Sequence, residues 1–222
     1  RRNGSPHAPR FPERPPVIGL LPGSRKSEAD ANFRGLLGAA AAIRAAFPGA
    51  TFLVPTTSAT HPVVCGELRR TNVDGVEYRQ DAFDEMVPRC DLCLTVSGTA
   101  TLHVAGFGVP MIVVYHASRA LWNLVGRWLI RVRTYALVNV LAAGPAAEKE
   151  QHVVPEIIPW FGDPRPVADL ALDYLRNPEK LAAQREALAG LVASLDCPGA
   201  SVNVAKMALE MLNAAPATAD AA

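Results

Sequence analysis

The chain has 222 residues, half of them hydrophobic, and a formal net charge of +1. Its apolar content suffices for a full core, and the near-neutral balance excludes a strong field that draws in nucleic acid. Four cysteines do not make a disulfide framework at this length, and no apolar run approaches the roughly twenty residues of a membrane span.

The first sixteen residues are rich in proline and open on Arg1-Arg2-Asn3-Gly4, without an initiator methionine or a signal peptide. They read as a disordered linker inside a larger protein, with an N-terminal half expected before them. Val17 to Leu21 reads as a buried strand. A helix follows, capped by Ser27, its positive end favoured by Glu28 and Asp30, and it runs to about Phe47. Thr51 to Pro55 is a second strand, His61 to Arg70 a helix, Val76 to Arg79 a short strand and Phe83 to Cys90 a short helix. Leu92 to Val96 (strand), Thr99 to Phe107 (helix) and Met111 to Tyr115 (strand) continue the alternation. Ala120 to Val132 reads as helix and Tyr135 to Val138 as a last strand. Helices over Pro166 to Arg176, Glu179 to Ser194 and Ala200 to Asn213 precede a small polar tail, residues 214–222, read as disordered.

This alternation predicts an α/β domain over residues 17–213, a Rossmann-like parallel sheet with helices on both faces. Ligands of such sheets bind beyond the carboxyl ends of the strands. Two strand-to-helix turns fall there. Pro22-Gly23-Ser24-Arg25 follows the first strand, and Ser97-Gly98-Thr99-Ala100-Thr101-Leu102 follows the fourth. Small residues let backbone approach a ligand, and the first N–H groups of a helix lack partners within it. Two such turns point to a nucleotide or diphosphate. Cys90 and Cys93 have no second pair or neighbouring histidine to complete a zinc site, and read as small apolar residues at the start of a strand. Such cysteine usage suits a reducing cytoplasm.

The Pro22 to Glu28 segment, the Ser97 to Leu102 turn, Gly108-Val109-Pro110 with the strand after it, Asn139-Val140-Leu141-Ala142 and Val154-Pro155-Glu156 together resemble the lipid-A-disaccharide synthase family. The resemblance spans roughly residues 17–212 and corresponds to the C-terminal, donor-binding half of a GT-B glycosyltransferase. It implies hexosyl transfer from UDP-2,3-diacylglucosamine to 2,3-diacylglucosamine 1-phosphate, releasing UDP. The expected setting is cytoplasmic and peripheral to the inner membrane, with no metal and no other cofactor. By motif, Gly23, Ser24 and Arg25 contact the donor diphosphate or the acceptor phosphate, the guanidinium fork of Arg25 matching phosphate oxygens. Ser97, Gly98, Thr99 and Thr101 supply hydroxyl and backbone donors, or cap the helix. Asn139 reaches substrate from the cleft wall, and Glu156 matches the family glutamate or balances a helix end. The loop at Gln80-Asp81-Ala82-Phe83 lies where such folds hold uracil.

Three departures stand out. His103 replaces a family glutamate that reaches the ribose hydroxyls, and lacks its two acceptor oxygens. Val138 replaces a proline, and residues 144–150 are an extra stretch. Between Arg119 and Arg133, Trp122 and Trp128 alternate with arginines, a composition suited to a membrane interface or to an ordinary packed helix. The resemblance places the general base, an aspartate, in the half that precedes this chain, so Asp30, Asp81, Asp84 and Asp91 are not assigned that role, and the chain alone is expected to be inactive. Two other functions fit these residues: a non-catalytic or half-site UDP-sugar-binding module, and another UDP-sugar enzyme such as a MurG-like transferase or an epimerase.

Overall fold

The computed structural model describes residues 12–71, 73–117, 122, 135–143, 152–195 and 199–214. Its six strands are β1 (Val17–Leu21), β2 (Thr51–Thr56), β3 (Val76–Gln80), β4 (Leu92–Val96), β5 (Met111–His116) and β6 (Glu156–Trp160). They form one sheet in the order β3-β2-β1-β4-β5-β6, with every neighbouring pair parallel. The helices are α1 (Lys26–Ala46), α2 (His61–Thr71), α3 (Phe83–Met86, running into a 3-10 turn at Val87–Arg89) and α4 (Ala100–Gly106). After them come α5 (Leu137–Ala143), α6 (Pro164–Arg176), α7 (Pro178–Leu195) and α8 (Ala200–Ala214).

The central strands β1 and β4 are almost wholly buried, as apolar runs covered on both faces should be. Alternate residues of each strand feed two cores. Ile18, Leu20, Phe52, Ile112 and Val114 pack with Phe33, Leu36 and Ile43 of α1 and with Val167 and Ala171 of α6. Leu21, Leu53, Cys93, Met111 and Val113 pack with Val104 of α4, Val138 of α5 and Leu188 of α7. Cys90 and Cys93 are buried within this second core. The Cys90 neighbour, with burial, pushes the Cys93 thiol up. Strand order reverses between β1 and β4, so the turns after these two strands face one crevice.

Where the stretch read as linker reaches the sheet, Arg14 makes a bidentate pair with Asp91 at 2.9 and 3.0 Å. The same buried carboxylate accepts the Val17 amide at 2.8 Å. Arg25, not Ser27, occupies the N-cap position of α1, which places Glu28 at the third helical residue. The segment expected as a strand at Tyr135 to Val138 instead opens α5. Val138 and Val140 favour a strand locally, but the free edge of β5 is taken by β6, which pairs Val113 with Glu156 and Val114 with Ile157. Tertiary pairing overrides propensity here. The expected Ala120 to Val132 helix and the extra 144–150 stretch lie outside the described residues, save Trp122.

Candidate functional site

A cleft of about 760 Å³ opens at the crevice where strand order reverses. Its walls come from the carboxyl ends of four strands: Leu21, Gly23 and Ser24 from the end of β1 into the turn, Thr56 and Thr57 from the end of β2, Asp81, Phe83, Asp84 and Glu85 after β3, and Thr95, Val96, Thr99, Ala100 and His103 from β4 into α4. Of the residues singled out from sequence, Gly23, Ser24, Asp81, Phe83, Thr99, Ala100 and His103 line it.

The turn after β1 is filled by its own helix. The Glu28 carboxylate accepts the Ser24 amide at 2.9 Å and the Arg25 amide at 3.2 Å, while its other oxygen takes the Arg25 guanidinium at 2.9 Å. A carboxylate three residues beyond the N-cap satisfies orphan donors and balances the helix dipole. Gly23 has φ +113, and a β-carbon there would lie 2.6 Å from both Cβ and Oε2 of Glu28. Only glycine lets the carboxylate come so close. The Thr57 hydroxyl donates to the Ser24 carbonyl at 3.1 Å and ties the turn to the end of β2. The Arg25 side chain is 80% exposed and, among the described residues, is held by Glu28 alone.

The turn after β4 is built differently. Thr101 closes it from within, its hydroxyl and amide both donating to the Gly98 carbonyl at 2.7 and 3.1 Å. Ser97 donates its amide to Val114 and its hydroxyl to the Tyr135 carbonyl at 2.8 Å. The amides of Gly98, Thr99 and Ala100 donate to no group among the described residues. A β-carbon at Gly98 would meet nothing within 4 Å. Since α4 has only seven residues, its dipole adds little, and these three N–H groups are the turn's capacity for an anion.

Asn139 and Glu156 are brought together behind that turn, away from the cleft lining. Buried Asn139 donates to the Val154 carbonyl at 2.8 Å and to Glu156 at 2.6 Å, and accepts the Val154 amide at 2.9 Å. Glu156 also accepts the Tyr135 amide at 2.9 Å. A continuous chain of bonds therefore runs from Ser97 through Tyr135 to Glu156 and Asn139, locking α5 and β6 against the turn. Burial, with Tyr115 and Glu156 nearby, lifts the Tyr135 phenol above its usual range.

The opposite wall is acidic. Asp81 sits at φ +56 between β3 and α3, and Asp84 and Glu85 follow it. His103 reaches across from α4, its Nε2 3.2 Å from Asp84 Oδ1. Its ring lies between Phe83 and Phe107, with centroids 4.9 and 5.2 Å away and planes within 23° and 20° of parallel. Sequence reasoning weighed Asp84 only as a general base and did not assign it; its approach to residue 103 appears only once the β3–α3 turn is folded against α4. It read Glu28 only as a dipole charge, although a carboxylate three residues after a cap is the capping-box signature. Among the described residues no group of three or more His, Cys, Asp or Glu gathers in a way that could hold a metal.

A profile of the lipid-A-disaccharide synthetase family matches residues 6–201. The chain belongs to the lipid-A-disaccharide synthetase family. The match takes in both turns and the Asn139–Glu156 lock, and bears out the resemblance read from the motifs. Lipid-A-disaccharide synthase of Geobacter metallireducens is 34% identical over 197 residues, covering 88% of this chain and 49% of that protein. The counterpart in Anaeromyxobacter sp. (strain K) is 34% identical over 201 residues with the same coverage, 88% and 49%. The chain thus spans about half the length of the curated relatives it matches. Among solved structures, S. aureus TarM aligns with a TM-score of 0.56 at 10% identity, covering 95% of this chain and 38% of that one. A UDP-N-acetylglucosamine 2-epimerase from Listeria monocytogenes aligns at 0.52 and 16% identity, covering 78% and 40%. These likenesses show the fold, which is that of GT-B glycosyltransferases and epimerases, as the resemblance implied.

Proposed function

We propose that this chain is the donor-binding half of a lipid-A-disaccharide synthase. In this reading the cleft holds UDP-2,3-diacylglucosamine, and the glucosaminyl group passes to 2,3-diacylglucosamine 1-phosphate with release of UDP. The observation that carries it is a family match whose residues build a cleft with unspent amides at the strand-order reversal. Fixed N–H groups at Gly98, Thr99 and Ala100 face the charge that develops on the departing diphosphate, and they need no reorganisation to stabilise it. Arg25 joins them by leaving Glu28. The scheme gives no part to a metal ion. The base that takes the proton from the acceptor hydroxyl is assigned to the half of the relatives that this chain does not span, and activity requires that half. No helix among the described residues is long and apolar enough to cross a membrane. The acylated substrates place the working enzyme at the surface of the inner membrane, with segment 119–133 as the contact.

Ligand-linked melting tests the donor site. UDP at a hundred times its dissociation constant adds about 2.7 kcal/mol of stability, or roughly 5–10 °C in the thermal midpoint of a domain this size. Arg25→Ala reduces the shift. A midpoint unmoved by saturating UDP contradicts the reading.

A further inference from the structure

We propose that the Tyr115 ring, backed by Tyr135, is the subsite for the hexosyl ring of a nucleotide sugar. The inference rests on the donor-site reading above and names the residue that meets the transferred group. The cleft draws its walls from the ends of β3, β2, β1 and β4, and the sheet continues from β4 to β5. The rings that line the cleft, Phe83 and His103, stack on each other beside the end of β3, where a planar base finds its stacking surface. A ligand with its base there, laid along the strand ends, leaves the cleft across the end of β4. The next strand end it meets is that of β5. There Tyr115 follows Val114, which pairs with Val96 and accepts the Ser97 amide at 3.0 Å.

Tyr115 is placed for such a group. Ile112, Val113 and Val114 before it are buried, whereas Tyr115 is 40% exposed. Its ring lies against that of Tyr135, with centroids 5.2 Å apart and planes within 31° of parallel. Tyr135 is itself fixed through its backbone, the amide donating to Glu156 at 2.9 Å and the carbonyl accepting the Ser97 hydroxyl at 2.8 Å. Its own hydroxyl is buried and has no partner among the described residues. An unpaired buried hydroxyl destabilises the fold, so it is the ring, held behind Tyr115, that this position uses. A half-exposed tyrosine offers apolar contact to the C–H bonds of a sugar and a hydroxyl to its polar rim. A ring already backed loses little freedom when the sugar arrives. Tyr115 therefore touches the ligand, and Tyr135 is a positioning residue that acts through it.

Calorimetric titration of the chain with UDP and with UDP-N-acetylglucosamine separates the outcomes. The second probe carries the glucosamine ring without long acyl chains, and UDP binding reports that each variant is folded. Tyr115→Ala weakens UDP-N-acetylglucosamine by about fivefold, the worth of covering roughly 40 Å² of apolar surface, and leaves UDP within about twofold. Tyr115→Phe keeps the ring and restores most of the loss. Tyr135→Ala lowers the ratio of the two affinities about threefold, while Tyr135→Phe, which lacks only the unpaired hydroxyl, does not lower it. The double alanine variant falls no further than Tyr115→Ala, because one residue acts through the other. Equal weakening of both ligands in Tyr115→Ala, no weakening of either, or a wild type that binds UDP but not UDP-N-acetylglucosamine overturns the role of Tyr115. An unaltered ratio in Tyr135→Ala overturns the positioning role. A folded wild type that binds neither ligand overturns the donor-site reading, and this subsite with it.

Discussion

The turns after β1 and β4 have similar composition and face the same cleft, yet in one the amides are taken up by the following helix's own carboxylate and in the other they are left unspent. After β1, Glu28 takes up the Ser24 and Arg25 amides. After β4, the helix supplies no carboxylate: Thr101 closes the turn through the Gly98 carbonyl instead, and the Gly98, Thr99 and Ala100 amides stay unspent. A Gly-Ser or Ser-Gly turn before a helix is thus not in itself an anion site. The residue three positions after the cap decides whether the donors serve the fold or a ligand.

Glycine substitutions separate the two turns most sharply. Gly23→Ala puts a β-carbon on Glu28 at a backbone angle that L residues rarely adopt, and costs about 2–4 kcal/mol in denaturant unfolding. Gly98→Ala meets open space, so it changes stability by no more than about 0.5 kcal/mol. A methyl group added within the turn crowds an anion held by its free amides, and UDP binding is expected to weaken more than in Arg25→Ala. Equal stability losses at both glycines break the comparison.

Asn139→Ala tests what holds the open turn in place. It leaves the Val154 amide and carbonyl without their buried partner and costs about 2–3 kcal/mol, seen as a lower denaturant midpoint. Glu28→Ala costs less than Asn139→Ala, about 1 kcal/mol, the usual worth of a helix cap. It also makes the first turn resemble the second. Inorganic phosphate, measured by titration calorimetry, then binds this variant more tightly than the wild type.

Much of this arrangement was legible in the sequence. The apolar runs at Leu20 and Leu94 mark doubly covered strands, and the small residues after them mark the crevice. Strand β6 was hidden because Pro159 lies within it and Glu156 begins it, residues that argue against a central strand but are tolerated at an edge. The start of α5 was misread because Val138 and Val140 favour extension and the claim of β6 on the β5 edge is a long-range fact. Asn139 and Glu156 were picked out by motif as substrate contacts, and only the fold places their polar atoms on each other. The Asp84–His103 pair joins residues 19 apart in sequence, across a turn whose Asp81 backbone is left-handed.

Amide chemical shifts, followed as UDP is titrated into the isotopically labelled chain, test the division between the two turns most directly. The account predicts that the Gly98, Thr99 and Ala100 resonances move strongly, while the Ser24 and Arg25 amides stay on Glu28 and scarcely move. Large shifts at Ser24 and Arg25 with silence at residues 98–100 would contradict it.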